Sequence, residues 1–182
     1  MPPELRPTTT IRITLPSGRA AVLACCRPQF TRWIGPSPNF TYGGKPVLTY
    51  GGQPVFAELL ILHLLEATGW TGTWISSYGG IKFLSEMPKD SSLVQAPIRL
   101  PERQISLIRK IQRRSNQRGG CFDLFAWRND KIIFCEAKQS KKDHIRPSQH
   151  KWIDAAITEG VPLDSLLIVE WSLAPPNVQA FA

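Results

Sequence analysis

No stretch of the 182-residue chain comes near the roughly 18 uninterrupted apolar residues of a membrane span. Its first residues also lack the short apolar core of a secretory signal. A membrane-embedded or exported protein is therefore not expected, and a cytoplasmic location is. Cysteine is scarce: Cys25, Cys26, Cys121 and Cys135 show no Cys-x-x-Cys spacing, which disfavours structural zinc and a disulfide framework and leaves four reduced, buried thiols. Acidic residues are in the minority, 14 against 22 Lys and Arg.

The basic excess has a location. Residues 101–151 hold 13 of the Lys and Arg but 5 of the Asp and Glu, while the 9 remaining basic residues are matched by 9 acids. Clustered cations favour a polyanionic partner, because neutralising phosphates releases condensed counterions. A solvated basic face is the plainer alternative. With 42% hydrophobic residues, the chain is long enough for one globular domain with a substantial core.

Inside the basic region two apolar, β-prone runs, Cys121 to Trp127 and Ile132 to Ala137, flank Arg128-Asn129-Asp130-Lys131. Asn-Asp tolerates the positive φ of a two-residue hairpin loop. That loop sets Arg128 opposite Lys131 and, counting back, Asp123 opposite Glu136. Directly opposed side chains share a face with Cβ atoms roughly 4.5–5.5 Å apart, and the period of two adds Lys138. Two carboxylates side by side repel unless a cation intervenes or one is protonated. Mg²⁺ or Mn²⁺ is the simplest remedy, since such ions bind through one or two carboxylates, waters and substrate phosphate. An isolated Asp opposite Glu-x-Lys is also an ordinary surface ion pair. Here, however, both faces of the hairpin are apolar and need covering, by helices.

After Lys138 comes a basic loop, and Pro147 opens a helix ending near Glu159, with Gly160 as its stop. Its apolar stripe is Trp152, Ile153, Ala156 and Ile157, and Gln149 lies one turn back on the inward side. Asp, hairpin, Glu-x-Lys, basic loop and a helix opening with Gln together resemble the PD-(D/E)xK nuclease superfamily. The wording Gly120-Cys121-Phe122-Asp123, Phe134-Cys135-Glu136-Ala137-Lys138 and Arg146-Pro147-Ser148-Gln149 is most similar to its VRR-NUC branch, over roughly residues 54–171. Phe122 departs from that pattern, where Pro is usual. The resemblance implies an α/β fold with a restriction-endonuclease-like core, a mixed central β-sheet flanked by helices. It implies a metal-dependent deoxyribonuclease leaving 5′-phosphates, with DNA as partner and a homodimer left open. Asp123, Glu136 and the carbonyl of Ala137 would hold Mg²⁺ or Mn²⁺, Lys138 would orient the attacking water, and Gln149 would support the site. A binding module without hydrolysis is the alternative on the same fold.

The remaining segments are read from pattern. Residues 1–53 form a β-rich extension: Thr8 to Leu15 and Ala20 to Cys26 read as a hairpin, and Thr41-Tyr42-Gly43-Gly44-Lys45-Pro46-Val47-Leu48 is repeated as Thr49-Tyr50-Gly51-Gly52-Gln53-Pro54-Val55-Phe56. Two such units are too few for a solenoid and read as paired turns. No task is assigned to this portion. Residues 54–182 form the nuclease-like domain. Pro54 to Thr68 reads as an apolar helix carrying one misfit, Glu58, whose helical neighbours are apolar. The resemblance makes Glu58 a further metal ligand; a helix-start Glu favoured by the dipole is the alternative. Thr73 to Phe83, broken by Gly79-Gly80, reads as the first core strand and part of its neighbour, and residues 85–100 form a polar loop with the character of a flap. Pro101 to Arg114 is a basic amphipathic helix, and Ser165 to Trp171 a buried strand, parallel to its neighbour if the Pro147 helix is the crossover.

Overall fold

The hairpin residues alternate between two cores, one on each face of the sheet. In the computed structural model, which describes residues 1–77, 80–89, 98 and 100–175, the hairpin strands are β8 (Leu124–Arg128) and β9 (Lys131–Gln139). The earlier elements are β1 (Thr9–Thr14), β2 (Ala20–Cys26), β3 (Gln29–Phe30), β4 (Leu48–Tyr50), β5 (Gln53–Val55), α1 (Ala57–Glu66), β6 (Thr71–Ser76), β7 (Lys82–Leu84) and α2 (Glu102–Ser115). After the hairpin come α3 (Pro147–Thr158) and β10 (Leu166–Leu173). The main sheet runs β1-β2-β10-β9-β8-β6-β7, with β3 also paired to β10. Strand β10 lies parallel to β9, β2 and β3, and the other pairs of this sheet are antiparallel. This is a mixed α/β fold whose central sheet is covered by helices on both faces. The α3 crossover accounts for the parallel β9–β10 pair, because a parallel return needs a long connection.

Leu124, Ala126, Ile133 and Cys135 face one core, with Leu59, Leu62 and Leu65 of α1. Phe125 and Phe134 face the other, with Ile108 and Ile111 of α2 and Trp152, Ile153 and Ala156 of α3. Fully burying each such aliphatic or aromatic side chain contributes about 1.5–3 kcal/mol. Residues 1–53 are built onto the same sheet through β2 and β10. Asp154 of α3 also clasps the β1–β2 turn, accepting hydrogen bonds from Ser17 N, Ser17 Oγ and Arg19 Nη2 at 2.8–2.9 Å. Burial alone would raise the Asp154 carboxyl, but these donors hold it below its ordinary range.

Two details differ from the sequence expectation. The first core helix starts at Ala57 rather than Pro54, because Gly51 and Gly52 both take left-handed φ (56° and 73°) and pair Leu48–Tyr50 with Gln53–Val55. Consecutive positive φ values make the two-residue hairpin turn whose twist suits its strands. Pro54 is therefore a strand residue opposite Thr49. The first copy of the repeat turns differently, with Tyr42, Gly43 and Gly44 all left-handed. The loop expected over residues 85–100 lies mostly outside the described residues.

Candidate metal and phosphodiester site

The register follows the turn chemistry. Arg128 pairs with Lys131, Asn129 has φ 55°, and Leu124 pairs with Cys135, which sets Asp123, one residue before β8, across from Glu136. Asp123 Oδ2 accepts a 2.9 Å hydrogen bond from Ala137 N, and the Asp123 carbonyl accepts one from Ile75 N at 2.7 Å. Within a strand the N–H and C=O of one residue point to the same side, so the Ala137 carbonyl also faces past the end of β8, toward Asp123. The approach to Asp123 is pinned from the other core. Trp152 Nε1 donates to Gly119 O at 3.1 Å, and Gly120, at φ 75°, runs so close to Ser148 that a Cβ there would clash with its side chain.

Glu136 is 1% exposed and Asp123 half-buried, and the Asp123 charge acts directly on the Glu136 carboxyl. Burial first, then the Asp123 charge, pushes the Glu136 carboxyl well above its ordinary value, against the pull of Lys138. Burial, then the Glu58 charge, raises Asp123, opposed by Lys45 and Lys138. Glu136 Oε1 accepts from Lys138 Nζ at 2.9 Å and from Gln149 Nε2. Lys138 Nζ also lies 3.6 Å from Asp143 Oδ2. Burial acts to lower the Lys138 ammonium, but Glu136 and Asp123 outweigh it and hold its pKa above the usual value. Lys138 is therefore a charged donor at neutral pH. Gln149 stands at the third residue of α3, where its Oε1 accepts Arg146 N at 2.8 Å while Gln149 N donates to Arg146 O at 2.9 Å. A helix cap thus aims its amide at Glu136.

Glu58 also reaches the site, from the first turn of α1, but its carboxylate is taken by the ammonium of Lys45. Lys45 is the residue that pattern reading missed. It leaves the Tyr42-Gly43-Gly44 turn, sits 5.0 Å from the Tyr42 ring centroid and 5.2 Å from that of Trp74, and interacts with Asp123. Tyr42 is fixed by its hydroxyl, 2.7 Å from Ser76 Oγ, and packs edge-on to Trp74 at 5.5 Å. The signal available was the fifth residue of the repeat, Lys45 in one copy and Gln53 in the other.

The structure thus brings together Asp123, Glu136, Lys138, Gln149, the Ala137 backbone, Glu58 and Lys45. It does not gather the three carboxylates around one point: among the described residues, no three His, Cys, Asp or Glu side chains form a group able to hold a metal ion. The donor set nonetheless suits a hard cation. Asp123 and Glu136 are opposed carboxylates raised by burial and by a neighbouring acid, Glu58 for Asp123 and Asp123 for Glu136, with a carbonyl beside them, and Mg²⁺ needs no more than one or two carboxylates when waters complete its shell. A cavity of about 850 Å³ opens at Arg128 to Lys131, roughly 17 Å along the hairpin from the carboxylates at strand spacing, and takes no part in this site. A smaller one, about 310 Å³, is bordered by Lys138, Asp143, His144 and His150. Comparison with known proteins found no match: no family model, no curated protein and no solved structure matches the chain.

Proposed function

We propose that the protein is a metal-dependent nuclease that hydrolyses DNA phosphodiester bonds, on a core of the restriction-endonuclease kind. The hairpin register that sets Asp123 across from Glu136, with Lys138 and Gln149 both on Glu136, carries this reading. Asp123, Glu136 and the Ala137 carbonyl would hold Mg²⁺ or Mn²⁺, which supplies a water of lowered pKa and charge compensation on the phosphate. Gln149 and Lys138 fix the Glu136 carboxylate, and the Ala137 N–H fixes that of Asp123. Because Lys138 stays protonated it serves as a donor, orienting the attacking water or the phosphate oxygen, and not as a general base.

DNA as substrate is supported by charge. Arg109, Lys110 and Arg113 on α2 and Lys141, Lys142, Arg146 and Lys151 around the start of α3 are all exposed, on the elements that cover the face bearing Lys138. Their affinity for a backbone would be independent of sequence and would fall with salt.

The test is cleavage of duplex, flapped, branched and single-stranded DNA with Mg²⁺ or Mn²⁺ by the native chain and by Asp123→Ala and Glu136→Ala. Supporting groups around a metal are each worth about 10–100-fold, so loss of a ligand should lower cutting by at least about 100-fold while DNA binding persists. Undiminished cutting by both variants would refute the assignment.

A further inference from the structure

Lys45 comes from the segment for which the sequence suggested no task, yet its ammonium pairs with Glu58 and feels the charge of Asp123. Lys138 is ion-paired with Glu136 and feels the same Asp123. The Lys45 position is built, since a turn of three left-handed residues aims it and the rings of Tyr42 and Trp74 flank its ammonium. Cation–π attraction of this kind adds to the ion pair. Glu58 itself is buried, 7% exposed on a helix packed against the sheet, so its charge needs a permanent counter-ion.

We infer that Lys45 is a tethered cation occupying the place of a second divalent ion, so that the cluster takes one ion at Asp123 and Glu136 and the Glu58–Asp123 side stays closed to another. The inference rests on the metal-dependent reading of the same site. Lys45 acts through Glu58 and Asp123 and is thus a positioning residue, contributed by the N-terminal part of the chain. Removing its charge leaves Glu58 and Asp123, two carboxylates that repel each other, without their shared cation, and oxygen donors of that kind suit a second hard cation.

The experiment is Mn²⁺ titration of the full chain by calorimetry, with electron paramagnetic resonance to detect coupled ion pairs. The native protein should bind one Mn²⁺, Lys45→Met two with an exchange-coupled signal, and Lys45→Met/Glu58→Gln one again. Lys45→Arg, which keeps the charge, should remain at one. Circular dichroism checks folding of each variant, and Lys45→Gln replaces the Met variant should that one not fold. Two ions in the native protein, or one ion in a folded Lys45→Met or Lys45→Gln chain, would overturn the inference while leaving the one-ion site intact. No Mn²⁺ bound to the native protein would overturn this inference and the metal-dependent reading together.

Discussion

Raising the pH should destabilise the metal-free protein through Asp123 and Glu136, and a divalent ion should restore what is lost. Both carboxyl groups are raised in the folded state, by burial first and then by neighbouring carboxylates, whereas unfolded carboxyls titrate near about pH 4. A raised acid contributes stability that is complete below the unfolded value and disappears as the pH climbs through the folded value. Lys45 and Lys138 are raised as well, so their contribution persists to strongly alkaline pH and does not vary between pH 5 and 8. An ion binds the deprotonated pair, so its stabilising effect should grow over that window. At 100 times its dissociation constant an ion adds about 2.7 kcal/mol, which for a chain of this size is about 5–11 °C in Tm at pH 8. Each pH unit below the titration weakens binding about tenfold per proton displaced, about 1.4 kcal/mol, and removes about 3–6 °C of the shift. The assay is thermal unfolding with and without Mn²⁺ at pH 5, 6, 7 and 8, repeated on Asp123→Asn/Glu136→Gln. A Mn²⁺ shift equal at all four pH values, or one that survives in the double variant, would refute the reasoning.

Two further outcomes are expected. Gly120→Ala should destabilise by about 1–3 kcal/mol in urea unfolding, because residue 120 has φ 75° and its new Cβ would meet Ser148; a neutral result would show that the loop before Asp123 is not pinned by α3. The four thiols should be silent to an aromatic disulfide reagent at pH 8 in the native protein and all react after denaturation, since all four are free and buried and burial pushes Cys26 up to about 12; fast labelling of any one in the folded chain would contradict its placement in the core.

What the sequence makes legible follows locality. The hairpin register needs only a positive-φ Asn129 and alternation along two short strands, and both are written within about 20 residues. Helix α3 has its start in Pro147 and its inward face in the spacing of Trp152, Ile153 and Ala156. Long-range pairing has no such signature. Strands β1 and β2 are recognisable as a hairpin, yet nothing in Ala20–Cys26 announces a parallel pairing with Leu167–Val169, more than 140 residues on. Helix α1 starts three residues after Pro54 because that residue, a natural helix opener, is equally acceptable in a two-stranded ribbon whose turn is made by Gly51 and Gly52.

Lys45 was the least legible member of the site for a related physical reason. Asp123, Glu136 and Lys138 are related by strand period and register, and Gln149 by helical period, so each carries its direction in its spacing. A residue delivered by three successive left-handed positions has no period, and its direction depends on the aromatic wall it meets. Glu58 supplied half of that information: a buried carboxylate among apolar neighbours requires a cation, and the sequence leaves open whether that cation is a metal or a side chain. The structure answers with Lys45. Buried acid is thus the more readable half of a buried ion pair, because the helix that carries it fixes its surroundings, while the long, flexible lysine can arrive from any loop within reach.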